Sequence, residues 1–286
     1  MIRMSVVVPV YNTARHLERC LGALRGQDYP ADEYEILAVD NNSTDESTAI
    51  LARATGVRVL RERKQGSYAA RNRAVREARG SLLAFTDSDC IPDRGWLRAI
   101  EAAMADPRVQ VVLGLRRPSL DHGVVKLLGD YEAKKDELVI SSATPEVYYG
   151  FTNNMGLRRT TFDRYGPFVE RDRGSDTIFV RRVVDGEGCG AAAFCPAARI
   201  EHAELDGIAS YYRKMFTYGR SRRLYGHIMN TRPLTASERL TALRRCVADG
   251  RYRWSEECLL VGALAGGMLA WTLGSLSSTW NPPAEE

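Results

Sequence analysis

Leu82-Leu83-Ala84-Phe85-Thr86-Asp87-Ser88-Asp89-Cys90 is a short apolar run that stops at two carboxylates one residue apart. It is too short for a typical helix and reads as a buried strand. Its C-terminal end would deliver Asp87 and Asp89 to the mouth of a sheet, where open α/β sheets gather their ligands. Two oxygen donors there suit a hard divalent cation and the diphosphate it bridges. An isolated Asp-x-Asp is equally well explained as a solvated acidic turn, so the reading rests on what precedes it.

Ser5-Val6-Val7-Val8-Pro9-Val10-Tyr11-Asn12 is unbroken and β-branched, as in a strand buried on both faces. Pro9 has no amide to donate and belongs at the strand's end. Leu17, Cys20, Leu21 and Leu24 recur at helical spacing. A second strand, Tyr34 to Val39, ends in Asp40, and Ser43 with Glu46 reads as a capping box opening the next helix. At that turn the Asp40 carboxylate would accept from a nucleobase imide or a ribose hydroxyl. Val57 to Leu60 is a third strand, followed by Lys64-Gln65-Gly66-Ser67-Tyr68-Ala69-Ala70-Arg71-Asn72. There Gly66 permits close backbone approach, and Lys64 and Arg71 face phosphate oxygens near a helix N-terminus. The alternation predicts a nucleotide-binding α/β sheet with right-handed crossovers.

In this order, Val8-Pro9-Val10-Tyr11-Asn12, Asp40-Asn41-Asn42-Ser43-Thr44-Asp45, Gly66 to Asn72 and Asp87-Ser88-Asp89 resemble the successive signatures of family 2 glycosyltransferases. The resemblance covers roughly residues 4 to 220. It implies a GT-A fold: a Rossmann-like nucleotide-binding half with a mostly parallel, mixed central sheet flanked by helices, and here a C-terminal helical extension. It further implies that Pro9, Tyr11, Asn12 and Asp40 line the nucleoside pocket, with Gly66, Arg71, Asp87 and Ser88 along the nucleotide. Asp89 would ligate Mn²⁺ or Mg²⁺. Thr13 departs from the pattern, since many relatives carry Glu after the Tyr-Asn pair.

Further along, Trp96 to Ala105 reads as an amphipathic helix, Val109 to Leu115 as a buried strand and Leu120 to Leu138 as helical. Tyr148-Tyr149-Gly150-Phe151-Thr152-Asn153-Asn154-Met155 suits either a sugar ring or a core strand with a capped turn; the resemblance favours the sugar. Arg173-Gly174-Ser175-Asp176-Thr177 opens a helix with Ile178, Phe179, Val180 and Val183 or Val184 on its apolar side. Asp176 has a structural explanation as an acid near a helix N-terminus. The resemblance implies instead a catalytic base, the second member of a Glu-Asp pair whose Glu is Ser175 here. Ala191 to Phe194 and Ile200-Glu201-His202 read as two further strands. A lone His is more often structural than a ligand, but His202 falls where several GT-A enzymes add a metal ligand.

The 286 residues are 44% hydrophobic and 27% charged, with a net charge of +4, ordinary for a globular chain. Six cysteines show no Cys-x-x-Cys, which argues against a structural zinc or a disulfide scaffold. The strand-like N-terminus carries no export signal, so a reducing cytoplasmic setting is expected. From Tyr211 basic residues dominate, among them Arg213, Lys214, Arg220, Arg222, Arg223, Arg232, Arg239, Arg244 and Arg245, with aromatics interleaved. Cys258 to Leu276 then runs without a charge, roughly 28 Å as a helix and close to a bilayer's hydrocarbon thickness. Trp254 and Trp280 flank it like interface anchors. The competing readings are an in-plane membrane helix and a packed or dimerising helix, for which Gly262-x-x-x-Gly266 allows close approach.

The expected organisation is a glycosyltransferase domain over 1–210, divided into a nucleotide half (1–115) and an acceptor half (116–210). A basic helical connector (211–257) and an apolar helix with its tail (258–286) follow. The expected activity is inverting transfer from a nucleotide sugar, UDP-linked, to a glycan or polyprenyl-linked acceptor. It would occur at the cytoplasmic face of the membrane, with a soluble cytoplasmic protein as second choice. No nucleic-acid partner is expected, and self-association through the last helix is a further expectation. The alternatives are a non-catalytic sugar-nucleotide-binding protein of the same fold and a nucleotidyltransferase. The latter normally carries a Gly-rich basic loop after its first strand, unlike Pro9-Val10-Tyr11-Asn12.

Overall fold

The first strand, β1 (Met4–Val10), is buried at every residue. It lies between β2 (Tyr34–Asp40) and β4 (Leu82–Thr86), parallel to both, with β3 (Arg58–Arg61) beyond β2. Pairing of β1 with β4 stops at Val7 opposite Phe85, so Pro9 lies past that ladder and its missing amide is tolerated. The crossovers are α1 (Ala14–Arg25), α2 (Ser47–Arg53) and α3 (Ser67–Glu77). Leu17, Cys20, Leu21 and Leu24 of α1 are buried against Val6, Val8, Val10, Ile36 and Ala38, as their spacing predicts. This computed structural model describes residues 1–120, 122–171, 173–202, 207–225 and 230–277, without the side chains of 222–225. Trp280 lies outside the described residues.

Beyond β4 the pairing becomes antiparallel. β7 (Asn154–Arg158) joins β4 with Thr86 opposite Asn154, and β6 (Val111–Pro118) joins β7. β8 (Ala192–His202) is one strand where two were expected, and it pairs with β5 (Cys90–Pro92), Cys90 opposite His202. The sheet order is β3-β2-β1-β4-β7-β6-β8-β5. Only Asp87, Ser88 and Asp89 separate β4 from β5, a reach of about 14 Å at most. The sheet must therefore curl until its last strand returns beside its fourth, which carries His202 to the Asp-Ser-Asp turn. The fold is thus mixed α/β, parallel through its nucleotide half, with α4 (Trp96–Ala103), α6 (Arg159–Tyr165) and α7 (Ser175–Glu187) among its helices.

Two local expectations are corrected. The second crossover helix starts at Ser47, with no side-chain cap, so Ser43 and Glu46 do not form a capping box. Those polar groups tie loops together instead: Ser43 Oγ accepts the Asn12 amide (3.3 Å), and the Asp45 carboxylate accepts the Ala14 and Ser47 amides (3.0 and 2.9 Å). The aromatic stretch is not a strand before Asn154. Tyr148 is buried, its hydroxyl donating to the Ile140 and Ser142 carbonyls, and Asn154 is consumed by Trp96 Nε1 and by the Leu115 and Ala198 carbonyls. Both side chains are held in the core, as the capped-core reading of this stretch expects.

The chain forms two compact units, 1–117 with 136–203, and 118–135 with 204–286. The boundary differs from the expected one, because residues 118–135 belong with the C-terminal segments rather than with the acceptor half. The second unit contains most of α5 (Gly123–Ile140), with α8 (Ile208–Tyr225), α9 (Ala236–Gly250) and α10 (Trp254–Leu276). Leu127, Leu128, Tyr131, Tyr211, Ala242, Cys246, Leu260 and Ala263 form its core. Thr235 and Glu238 make a reciprocal capping box at α9. α8 packs along α10: a side chain added at Gly266 or Gly267 would meet Tyr212 or Tyr211, and one at Gly274 would meet the Phe216 backbone. Gly262 opens to empty space, so the Gly262 and Gly266 pair does not act as one contact surface. Among the described residues α10 is the helix long and apolar enough to cross a membrane.

Candidate active site

The Asp-Ser-Asp turn is held from three sides. Arg71, 3% exposed on α3, pairs with Asp87, and its guanidinium lies over the Tyr68 ring (5.2 Å). Ser88 is buried and its Oγ accepts from Thr13 (2.9 Å), while the Thr13 amide donates to Ser47 (3.0 Å). The departure at Thr13 thus has a local role, fixing the turn, and the Ser88 hydroxyl is held by Thr13. Asp89 lies 3.8 Å from His202 Nε2 and 3.6 Å from the Cys90 sulfur. One ligand atom from each of Asp89, Cys90 and His202 falls within 4.8 Å of the others. An oxygen and an imidazole nitrogen this close fit a divalent cation. Cys90 was no candidate from sequence, because its nearness to His202 arises only from the β5–β8 pairing.

The loops after β1 and β2 are tied to each other. Asn12, at φ 50°, accepts the Thr44 amide at Oδ1 (2.8 Å), and Tyr11 is half exposed beside it. Asp40 is buried, its oxygens accepting the Ser43 amide (3.0 Å) and the Thr48 hydroxyl (3.3 Å), with Arg61 at 3.9 Å. A groove of about 570 Å³ runs along this flank between Asp40, Thr48, Arg61, Arg63, Arg73 and Arg76, and neither Asp89 nor Asp176 lines it. Gly66 sits at φ 131°, where a side chain would be strained, and its amide donates to Asn41 Oδ1 (2.7 Å). Asn41 also donates to the Glu62 and Lys64 carbonyls (2.9 and 2.8 Å), a buried tie that sequence reading passed over. Lys64 is taken by Glu170 (2.8 Å), so the phosphate-facing role expected for it is not what this arrangement presents.

Asp176 stands in the first turn of α7, after Gly174 at φ 84°. Its carboxylate accepts the Thr177 amide (2.8 Å), with the Tyr68 hydroxyl and the Thr152 amide near it, and its own amide donates to the Tyr68 hydroxyl (3.4 Å). Burial pushes its pKa above the ordinary carboxylate value; those hydrogen bonds and the Arg71 charge oppose the shift without cancelling it. Tyr68 is pushed well up by its own burial and remains a neutral donor. Gly150 is required beside this acid, since a Cβ there would lie 2.5 Å from the Asp176 carbonyl. Ser175 is fully buried, with no partner for its hydroxyl among the described residues. Arg71 thus links the two acids, paired to Asp87 and felt electrostatically by Asp176.

The site thus combines a parallel α/β half, a strand-end carboxylate pair and a half-buried acid apart from it, the layout of an α/β enzyme of the glycosyltransferase class. Residues 5–167 match the model of Glycosyl transferase family 2, and the chain belongs to that family. The glycosyltransferase AglE of Haloferax volcanii is 37% identical over 192 residues, covering 64% of this chain and 61% of that protein. The poly(ribitol-phosphate) β-N-acetylglucosaminyltransferase TarS of Staphylococcus aureus is 30% identical over 118 residues, 40% of this chain and 21% of TarS. The chain therefore spans less than two thirds of either relative's length. The mannosyltransferase PcManGT of Pyrobaculum calidifontis, solved with GDP-Man and Mn²⁺, superposes with a TM-score of 0.65 at 22% identity, covering 97% of this chain and 88% of that one. TarS 1–349 with UDP-GlcNAc gives 0.56 at 18% identity, covering 94% and 81%.

Proposed function

We propose that this chain is an inverting glycosyltransferase that moves a sugar from a nucleotide donor, UDP-linked, to a hydroxyl of a glycan or polyprenyl-linked acceptor. The observation that carries the reading is the separation of two acids: Asp89 clustered with His202, and Asp176, half-buried at the head of α7. Asp176 takes the acceptor hydroxyl's proton as that oxygen bonds to the sugar's C1. The C1–O bond to the diphosphate breaks, and its electron pair leaves on the diphosphate. Attack opposite the leaving group inverts the anomeric carbon. Asp89 and His202 would hold Mn²⁺ or Mg²⁺, which would supply positive charge where the diphosphate becomes negative. Tyr11, Asn12, Asp40 and Gly66 form the nucleoside end, with Arg71 and Asp87 toward the ribose and diphosphate.

Family membership supports the reaction class, and the GDP-Man and UDP-GlcNAc held by the solved neighbours support a nucleotide-sugar donor. A panel of UDP- and GDP-sugars with Mn²⁺, read for binding and slow hydrolysis, tests it. Release of nucleoside diphosphate is expected. Formation of nucleoside triphosphate and sugar 1-phosphate when pyrophosphate is supplied would point to nucleotidyl transfer, and binding without turnover with any acceptor to a non-catalytic protein.

We also propose that the second unit docks on the cytoplasmic face of a membrane, with α10 lying in the interface rather than crossing it. Leu269, Leu273 and Leu276 of α10 are more than half exposed, and its outward stripe carries no charge. α8, packed along Gly266 to Gly274, carries Arg213, Lys214 and Arg220. If α10 spanned, Arg213 and Lys214, level with Gly266 to Gly274, would sit in the hydrocarbon toward its middle, at up to about 2.5–3.5 kcal/mol each. At the interface the same cations meet anionic headgroups while the stripe enters the acyl boundary.

A further inference from the structure

Cys90 faces the cation site and has no part in the mechanism above. It lies opposite His202 in the antiparallel β5–β8 ladder, which sets both side chains on one face of the sheet. Its sulfur is 3.6 Å from Asp89 Oδ1, and His202 Nε2 is 3.8 Å from Asp89 Oδ2. Ligands of a tetrahedral ion bound at about 2.0–2.3 Å stand about 3.3–3.7 Å apart, so small side-chain shifts would bring all three atoms onto one ion. Cys90 and His202 are both buried, so water competes poorly for these positions. The other nearby thiol, Cys20, is turned to the Asp87 carbonyl (3.5 Å) and is not in the cluster.

We propose that Cys90 is a third protein ligand, making this an oxygen–sulfur–nitrogen site that selects borderline-soft cations such as Zn²⁺ or Co²⁺ over Mg²⁺ and Mn²⁺. This rests on the reading of Asp89 and His202 as metal ligands. A hard ion is served by Asp89 and His202 with the donor's diphosphate oxygens, and it leaves the thiol protonated. A softer ion forms a metal–sulfur bond, the thiol proton leaving to solvent, and needs no nucleotide to complete three protein ligands. Zn²⁺ would then compete with the ion that the donor requires, coupling the enzyme to the balance of metals around it. The absence of Cys-x-x-Cys or His/Cys spacing in the sequence does not bear on this site, because its ligands meet across strands.

The test is a Co²⁺ titration of the nucleotide-free full chain, read by the sulfur-to-cobalt charge-transfer band in the near ultraviolet. Wild type should show the band, Cys20→Ser should keep it, and Cys90→Ser should lose it. Zn²⁺ affinity by calorimetry should weaken about tenfold or more in Cys90→Ser, with Mn²⁺-dependent UDP binding retained. Absence of the band in wild type, or its survival in Cys90→Ser, would overturn the thiolate ligand. If wild type binds UDP with Mn²⁺ but shows no band, only this proposal fails. If it binds neither Co²⁺ nor Mn²⁺, the assignment of Asp89 and His202 fails with it.

Discussion

Desolvation makes Asp176 a stronger base and a less comfortable neighbour at the same time. Asp176→Asn keeps the shape and the Thr177 amide contact but cannot take a proton. Turnover should fall about 10²–10⁴-fold while Mn²⁺-dependent UDP binding stays near wild type; equal loss of both would refute the base. Because burial raises its pKa, the acid limb of kcat should lie above the ordinary Asp value of about 3.9, with activity rising as pH climbs through that limb. Arg71 opposes the rise, so Arg71→Leu should move the limb to higher pH, a direction that a merely structural role for Arg71 would not produce. Stability runs the other way. The native state holds the Asp176 proton more tightly than the unfolded chain, so stability falls as pH rises from the unfolded pKa through the native one. At neutral pH the ionised acid is a liability to folding, and Asp176→Asn should raise Tm in thermal melts as it abolishes turnover.

At the level of elements, the loops after β1 and β2 are one device. Asn12 accepts the Thr44 amide, Ser43 accepts the Asn12 amide, and Asp45 accepts the Ala14 amide. Asn12→Ala removes one side of this tie at a position of positive φ, and should cost about 1–3 kcal/mol in denaturant melts and weaken UDP binding. If stability drops and affinity does not, Asn12 is structural alone. The strands of this half were legible because each is an apolar run ended by a polar turn, a pattern set by local burial. The partners were not. Ser43 looked like a helix cap because its neighbour Glu46 stands at the right interval, yet its hydroxyl is claimed by a loop distant in sequence. The union of Thr13 with Ser88, of Asn41 with Gly66, and of His202 with Asp89 likewise depends on how the sheet curls. No local periodicity encodes that curl, so residue types were readable where the contacts between them were not.

For the whole molecule, the proposed docking on a membrane turns on the division of charge in the second unit. Its outward α10 stripe is apolar from Val261 to Leu276, while Arg213 and Arg220 on α8 are exposed beside it. An interfacial helix and a spanning helix predict opposite fates for the chain's end. On the proposed interfacial placement, a protease-sensitive tag placed after Ser277 should remain on the side of the first unit in sealed vesicles. Protection of the tag from the protease on that side would establish a span and overturn the interfacial reading. The double substitution Leu269→Glu with Leu273→Glu changes two exposed side chains with little effect on the packing of α8. It should move the protein from anionic vesicles into the soluble fraction in flotation assays, with melting temperature unchanged. Charge reversal at Arg213 and Arg220 should weaken flotation on anionic vesicles, by about 1 kcal/mol per residue, and spare the weaker binding to neutral ones. Were both pairs of variants to float as wild type does, the stripe would be a contact between protein copies, and the oligomeric state of the double-Glu variant would show it.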